Sequence, residues 1–467
     1  MKNKSEARIF DKSINRKNIR GENKENKENK RYKKKNNFYA NNIKVINYMI
    51  LIKTILIINI FYQTITYSIK NFYFQRSYIK LKINKIGSNN ILGKSFKSAY
   101  PPNEVLINGI KIDSITYNYK FNQTNNIVDL IWKNSIKNTV NMFVECSSII
   151  EIDLSNFDSS LVTDMSYMFY KCISLINLNL SNFNTSNDQS MFAMFGYFHT
   201  LISVDLSHFD TSKVTNMRSM FYKCYSLNSI DVSNFDTSKT KDMAGMFYNC
   251  SSLTSLDLSN FDTSQVTDMY VMFANCLLTS LNLSNFDTSQ VTIMEGMFQN
   301  CSKLLQLDLS KFDTSKVTNM RSIFYNCSSI TSIELSNFNI SQTKDISSMF
   351  SFCSSLKSLD LSNFDTSLVT DLNNTFRSCS SLISLNLSSF NTSSAKNMSY
   401  MFYNCSSLIN LDLSNFNTSN AQSMIAMFGY CHTLISINLS HFDTSKVTNM
   451  RSMFYKCYSL NLIDEFL

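Results

Sequence analysis

One phenylalanine returns every 26 residues through about two-thirds of this 467-residue chain. It stands at Phe157, Phe183, Phe209, Phe235 and Phe261, takes one 25-residue step, and continues at Phe286, Phe312, Phe338, Phe364, Phe390, Phe416 and Phe442. A fixed period of this length implies stacked copies of one structural unit, each burying its apolar side on its neighbours. It also constrains function, because a stack of near-copies offers a repeated surface rather than one unique pocket.

Charge divides the chain into unlike parts. Residues 1–40 carry 14 Lys/Arg against 5 Asp/Glu, and residues 41–142 carry 13 against 3. From Phe143 onward the balance reverses to 17 against 27. The segment Met1–Asn37 is rich in Lys, Asn and Glu and has too few apolar residues to bury a core, so residues 1–40 read as a basic, disordered, solvated arm rather than a nucleic-acid or anionic-lipid contact. Residues 41–70 hold an apolar stretch, Val45–Ile69, interrupted by Lys53 and densest at Thr54–Phe61. It is about as long as the roughly 20 residues a membrane span needs. A signal-anchor helix, a signal peptide with a long basic front, and a buried element all fit it. Lys33–Lys35 precede it and Lys70, Arg76 and Lys80 follow, so flanking charge does not orient it. Residues 71–141 read as a junction. Pro101-Pro102 breaks it, Glu104–Ile112 and Ile115–Tyr119 have strand composition, and Trp132 with Val140 and Phe143 is placed to cap the repeats, whose end is otherwise apolar. Residues 142–467 are the repeat array, about 12 units.

Within a unit the pattern changes period. Leu253, Leu256 and Leu258 follow L-x-x-L-x-L. Leu256 and Leu258 share one strand face, and Asp257 points the other way. Further on, Val317, Met320, Ile323, Phe324, Cys327 and Ile330 fall three or four apart, which predicts a short helix or helical turn, with Asp313-Thr314-Ser315 as its N-cap. Each unit is thus expected to run strand, polar corner, helical turn. Strands about 4.8 Å apart would give a rod some 55–60 Å long. A longer copy overlies the short one, since Ser181–Asn228 recurs almost unchanged at Ser414–Asn461, nine units on.

The order M-F-x-x-C-x-x-L-x-x-L-x-L, carried by Met220–Cys224, Met246–Cys250 and Met401–Cys405 with the leucines that follow, resembles the BspA-like class of leucine-rich repeats, found in surface proteins of bacteria and of some protists. The resemblance covers Met142–Ile463. It implies an extracellular or surface-exposed, non-enzymatic solenoid engaged in adhesion or host contact. The fold expected is an α/β-type repeat solenoid: a right-handed leucine-rich-repeat coil with short parallel strands on one face and helical turns on the other.

All twelve cysteines fall at one phase of the repeat, and Phe198 takes their place once. A single column with an apolar substitute reads as buried free thiols, so Cys224, Cys250 and Cys327 are assigned to the core with Phe209, Phe235, Phe261 and Phe312. No C-x-x-C occurs, and no metal or cofactor is expected. The residue between the last two strand leucines forms a second column, whose acidic members are Asp153, Asp205, Asp231, Asp257, Asp308, Glu334, Asp360 and Asp412. Carboxylates repeated at strand spacing attract cations or a basic partner, and this open face is the candidate ligand surface; the plainer alternative is a polar strip that keeps an exposed sheet soluble. The Asp or Asn after each corner Phe, such as Asp236, Asp262 and Asp365, suits a cap or turn. The histidines, His199, His208, His432 and His441, lie two in each long copy with no nucleophile pattern beside them, so no catalytic site is expected. Sequons at Asn122, Asn249 and Asn404 offer glycan sites in a secretory route. The function these features support is a surface protein binding a protein or glycan ligand, with membrane anchoring through Val45–Ile69 and no nucleic acid. An intracellular interaction scaffold is the alternative, and a hydrolase a remote one.

Overall fold

The computed structural model describes residues 30–38, 41–65 and 77–464. The chain divides into two compact units, Met1–Gln75 and Arg76–Leu467.

In the first unit one helix, α1, spans Lys30–Ile65 and is long and apolar enough to cross a membrane. Thr54 and Thr64 donate their hydroxyls to the carbonyls of Ile50 and Ile60, each 2.8 Å away, so these polar groups are satisfied inside the helix. The helix corrects one expectation: Lys30–Phe38 are helical, not disordered. Arg and Lys are good helix formers, and extending an existing helix costs far less than starting one. The rest of the basic arm and the last residues of the apolar stretch lie outside the described residues.

The second unit opens with a cap. Strand β1 (Ser77–Ile83) alternates cleanly, with Ile79, Leu81 and Ile83 buried and Lys80 and Lys82 turned outward. Next come β2 (Gly87–Asn90), helix α2 (Lys94–Ala99), β3 (Glu104–Ile107), β4 (Ile110–Lys111), β5 (Asn118–Phe121) and β6 (Asn126–Trp132). The hairpin between β3 and β4 turns at Asn108-Gly109, where φ is 52° and 80°, the two positive values a tight two-residue hairpin loop needs. The second expected strand, Ile115–Tyr119, shifts to β5, and the long strands β1 and β6 were not anticipated. The main sheet has the order β4-β3-β6-β1-β7-β8. Its last two strands, β7 (Ile149–Asp153) and β8 (Asn177–Asn179), already belong to the repeats, so the cap sheet runs directly into the array. Trp132 is buried against Phe157, with ring centroids 5.8 Å apart, and donates its indole N–H to the Tyr100 carbonyl at 3.2 Å.

The repeats stack coil on coil. Parallel strand pairs recur at β7–β8, at β9 (Ser358–Asp360) with β10 (Ser384–Asn386), and at β11 (Ser436–Asn438) with β12 (Leu462–Asp464). Elsewhere the leucine segment is extended but held more loosely, as at Asn228 N–H to Ile202 O, 3.3 Å. Tighter ladders lie in the rest of the coil. A column of parallel bridges runs from Ser190–Asn216 to Ser423–Asn449. Beside it, alternate N–H groups bond to the next coil: Met217 to Asp242, Ser219 to Ala244, Phe221 to Met246 and Lys223 to Tyr248, at 2.7–2.9 Å.

That ladder overturns the helical expectation. No helix occurs in residues 142–464 among those described. Each coil instead carries two left-handed residues four apart, such as Ser219 and Lys223 with φ of 57° and 58°. Thirteen such pairs run from Asn141/Glu145 to Ser452/Lys456, with Gly245 and Gly296 filling the first place in two of them. A left-handed residue every fourth position breaks an α-helix and turns alternate N–H groups toward the neighbouring coil. The three-residue spacing in the sequence belongs to tight turns: Cys327 N–H bonds to Phe324 O, and Ile330 N–H to Cys327 O. Asp313-Thr314-Ser315 caps no helix. Asp313 closes a turn on the Ser315 N–H at 2.9 Å, while Thr314 donates to Asn339 O and accepts from Asn339 N–H in the next coil.

The core is columnar. Phe209, Phe235, Phe261 and Phe312 are buried at the corner after the strand, each closing a turn back to the leucine or valine three residues before. A second phenylalanine column, from Phe143 to Phe454, forms a face-to-face stack with centroids 5.5–6.0 Å apart. These distances exceed the ~4.8 Å rise between strands, so the rings are offset rather than eclipsed. The cysteines are free, and Cys224, Cys250 and Cys327 are buried, each thiol donating to the carbonyl of a stacked phenylalanine in the preceding coil at 3.1 Å. The 25-residue step removes one residue from the turn between Cys276 and Leu278, and Leu278 still fills its core slot.

Candidate functional site

The column between the strand leucines does face outward. Asp205, Asp231, Asp257, Asp308, Glu334, Asp360 and Asp412 are exposed, and Asp153 is half-buried at the cap end. Each also has local work to do. In all twelve coils from Asp153 to Asn438 the side-chain oxygen accepts the N–H of the serine two residues on, at 2.9–3.1 Å. This Asx-type turn bends the chain out of the strand into the phenylalanine corner. Asn does it as well as Asp, which accounts for Asn179, Asn282, Asn386 and Asn438 in the same column.

The same contacts keep the acids ionised. The serine hydroxyl, then the serine N–H, holds Asp205, Asp231 and Glu334 below the usual carboxylate range; for Asp257, Asp308, Asp360 and Asp412 the N–H is the larger cause. The face therefore presents fixed negative charges, one per coil where an acid is present. They are not gathered: no group of three or more His, Cys, Asp or Glu among the described residues could hold a metal.

Where the cap joins the array this face deepens into a groove of about 480 Å³. Lys80 and Lys82 of β1 form one wall, opposite Asp153 and Glu151 in the strand register. Lys82 reaches Glu151 at 3.0 Å, and Asn179 donates to Asp153 at 2.9 Å. Ile176, Val204 and Asp205 continue the lining. The structure thus brings Asp153 and Asp205 into one groove and leaves the other six acids along the coils beyond it. The two lysines were missed in the sequence, although the strict alternation of Ser77–Ile83 identifies a strand with its lysines outward.

A row of exposed aliphatic side chains runs beside the acids at the first strand position: Ile176, Ile202, Leu305, Ile383, Ile409 and Ile435. The other candidate residues have structural partners. Asp236 and Asp365 cap turns on Ser238 and Ser367. His441 bonds to the Leu413 carbonyl of the preceding coil, and His432 to Lys456 O of the next, both at 2.9 Å. Asn249 and Asn404 occupy the second left-handed position, which Asn tolerates well; this explains their place before Cys without a glycan.

The family described as "Mycoplasma protein of unknown function, DUF285" matches residues 114–202, 137–255, 192–306, 241–359, 268–384 and 344–464. The chain belongs to that family. The overlapping matches start inside the cap at residue 114 and run through the repeats. Among solved structures, a leucine-rich cell surface protein from Faecalibacterium prausnitzii is similar over 76% of this chain and 85% of its own, with 14% identity and a TM-score of 0.26. No curated protein matches the chain.

Proposed function

We propose that the stacked coils form a right-handed leucine-rich-repeat solenoid, held at the cell surface by α1, that binds a protein partner through its open strand face and performs no chemistry. The observation that carries this reading is the composite face itself. Ionised acids and exposed aliphatic side chains run side by side along the coils, and the acids' structural duty is met by one oxygen, leaving the other for a ligand. Charge beside apolar area is the make-up of a recognition surface, and the partner it suits carries basic and apolar side chains. The membrane role rests on the length and composition of α1.

Two experiments test this. Protease treatment of intact cells carrying the full chain should digest the repeats; protected repeats would favour an intracellular scaffold. Replacing Asp231, Asp257 and Asp308 together by Asn keeps the turns and removes three charges. Beads coated with that variant should attach to cultured cells less well than wild type, with a flatter salt dependence. Unchanged attachment would rule out the acidic face as the contact.

A further inference from the structure

The turn side of the early coils holds a different kind of surface. A groove of about 330 Å³ is walled by Tyr167, Tyr170, Phe192, Tyr197, Tyr222 and Tyr270, all of them partly exposed. Its floor is made of small residues, Ala193, Ala244 and Gly245, so the rings stand clear of it. The core does not need these rings, because the buried phenylalanine stack already runs beneath them.

The ring geometry leaves faces available. Tyr167 meets Tyr170 at 5.2 Å and 85°, Tyr170 meets Tyr197 at 5.2 Å and 76°, and Tyr167 meets Phe192 at 4.7 Å and 64°. An edge-to-face contact uses one ring's edge and a single face of the other, so the second face stays clear of that contact. By contrast Tyr222 stacks flat on Tyr248, which lies outside the lining, at 4.8 Å and 11°. Gly196 makes the arrangement possible. A Cβ there would lie 2.8 Å from the Tyr170 ring, so Tyr170 crosses the next coil only because position 196 has no side chain. This glycine lies outside the positive-φ residues, so its role is room and not backbone freedom.

Charge selects the ligand. Lys223 lies 5.0 Å from the centroid of Tyr197 and 5.2 Å from that of Tyr222, and Lys171 lies 5.5 Å from that of Tyr170. With ammonium groups already on the rings, a cationic guest is repelled. Arg218 stands at the rim, 3.2 Å from Asp268 and 3.5 Å from Asp242, so the groove edge offers N–H donors and carboxylate acceptors to a ligand's hydroxyls. Aromatic walls, a neutral-to-anionic preference and a polar rim in a small groove suit one chemistry. A pyranose ring has an apolar C–H face for a tyrosine and hydroxyls for the rim.

We propose that this groove is a saccharide site, taking a pyranose unit of a glycan, separate from the open strand face. Part of the cluster recurs nine coils on, with Ile425 at the place of Phe192 and Arg377 over the Tyr400 and Tyr403 rings. Tyr400–Tyr403, Tyr403–Tyr430 and Tyr430–Tyr455 meet at 5.6, 5.2 and 5.4 Å with angles of 60–70°. Gly429 stands under Tyr403, where a Cβ would come within 3.0 Å of the ring. Nine coils at ~4.8 Å each put the clusters about 43 Å apart, a spacing for two sugars on one glycan-bearing surface.

The test is a glycan array of neutral and acidic oligosaccharides probed with the full chain, followed by titration of the strongest hit. Glycan binding is expected, and Tyr197→Ala with Tyr430→Ala should weaken it about tenfold or more, ~1.4 kcal/mol, per site. Tyr197→Phe, which keeps the ring, should bind nearly as wild type, and this separates recognition from folding. Gly196→Ala should weaken binding with little change in melting temperature. The Asp231/Asp257/Asp308→Asn variant should bind glycan normally, so failure of the open-face reading and failure of this one are distinguishable. No glycan binding by the wild type, binding of choline in its place, or glycan binding indifferent to Tyr197 and Tyr430 would overturn the proposal.

Discussion

Asp188 is a buried carboxylate in a column otherwise filled by uncharged, mostly apolar residues, and removing it should stabilise the protein in a way that depends on pH. Its equivalents in the neighbouring coils are Val162, Val214, Thr240 and Val266, all buried. Asp188 is fully buried; one oxygen accepts the Ser190 N–H at 3.3 Å, and the other has no hydrogen-bond partner. Burial, with the nearby charge of Asp164 adding to it, pushes its pKa up from 3.8 to about 7 against the pull of its backbone contacts. The long copy has Ala421 at this place, so Asp188→Ala is a change the coil already accepts elsewhere.

The sign follows from proton binding. Below the unfolded value the acid is neutral in both states and costs nothing through ionisation. As the pH rises the unfolded chain loses the proton first, and stability falls until the pH passes the folded value. A rise of about three pKa units at ~1.4 kcal/mol each gives a total near 4 kcal/mol, of which roughly 3 kcal/mol falls between pH 4.5 and 8. Urea denaturation of wild type and Asp188→Ala at those two pH values measures it, because the capping acids shared by both proteins cancel in the comparison. The advantage of the alanine variant should grow by about that ~3 kcal/mol from acid to neutral pH. An advantage that is the same at both pH values, or absent at pH 8, would refute the argument.

Other consequences follow from the ladders. Asp231→Asn should melt as wild type at neutral pH, because Asn closes the same turn, whereas Asp231→Ala should melt lower; since the Asp231 pKa is depressed from 3.8, its contribution is present above that value and lost as pH falls, so the Asn variant should be the more acid-resistant. Phe247→Ala removes a ring stacked on Phe221 at 5.6 Å and on Phe273 at 6.0 Å, and should cost about 3–5 kcal/mol in urea denaturation. Burial pushes the thiols of Cys276, Cys353 and Cys405 up to about 12, so iodoacetamide at pH 8 should leave them unmodified in the native protein, label the half-buried Cys457 first, and reach the others only in denaturant.

The strand side of each coil was legible because it obeys a two-residue period: Leu256 and Leu258 turn inward and Asp257 outward on sequence grounds alone. The turn side was not. Val317, Met320, Ile323 and Cys327 share a buried side whether the chain winds as a helix or as successive three-residue turns, so the pattern fixes the side but not the winding. The deciding term is the bond to the next coil, such as Met320 N–H to Asp345 O, which no local window contains. Asp313-Thr314-Ser315 was correctly read as capping chemistry and attached to the wrong element for the same reason. The tyrosine groove was missed because Tyr170 and Tyr222 sit between Phe and Cys in a motif that reads as core. The signal was Gly196, a small residue at one of those positions, beside the tyrosine it makes room for.

One coil separates scaffold from recognition. In Phe209–Asn234, eight apolar residues are buried: Phe209, Val214, Met217, Met220, Phe221, Cys224, Leu227 and Val232. Asp210, Asn216 and Asp231 close turns on N–H groups two residues ahead. Thr211 and Thr215 bond to adjoining coils, and Asn234 spans to three carbonyls of the preceding corner. A substitution at any of these that loses the buried apolar group or the hydrogen-bonding oxygen or amide disturbs a ladder. What the scaffold leaves over is chiefly Lys213, Arg218, Tyr222, Lys223, Tyr225 and the first strand residues, and these are the positions that change from coil to coil. The Tyr222 place holds Tyr170, Gly196, Tyr248, Ala274, Gln299 and Arg377 in other coils, and the first strand place holds Ile202, Thr254, Leu305 or Lys357. Variation inside one chain is thus concentrated where stacking sets no requirement, on two surfaces. Under the proposed binding role, a partner that distinguishes one coil from another would have to read those residues, on the first strand row and on the tyrosine row. The acidic column, constrained to Asp, Asn or Glu by its turn, supplies charge common to the whole face.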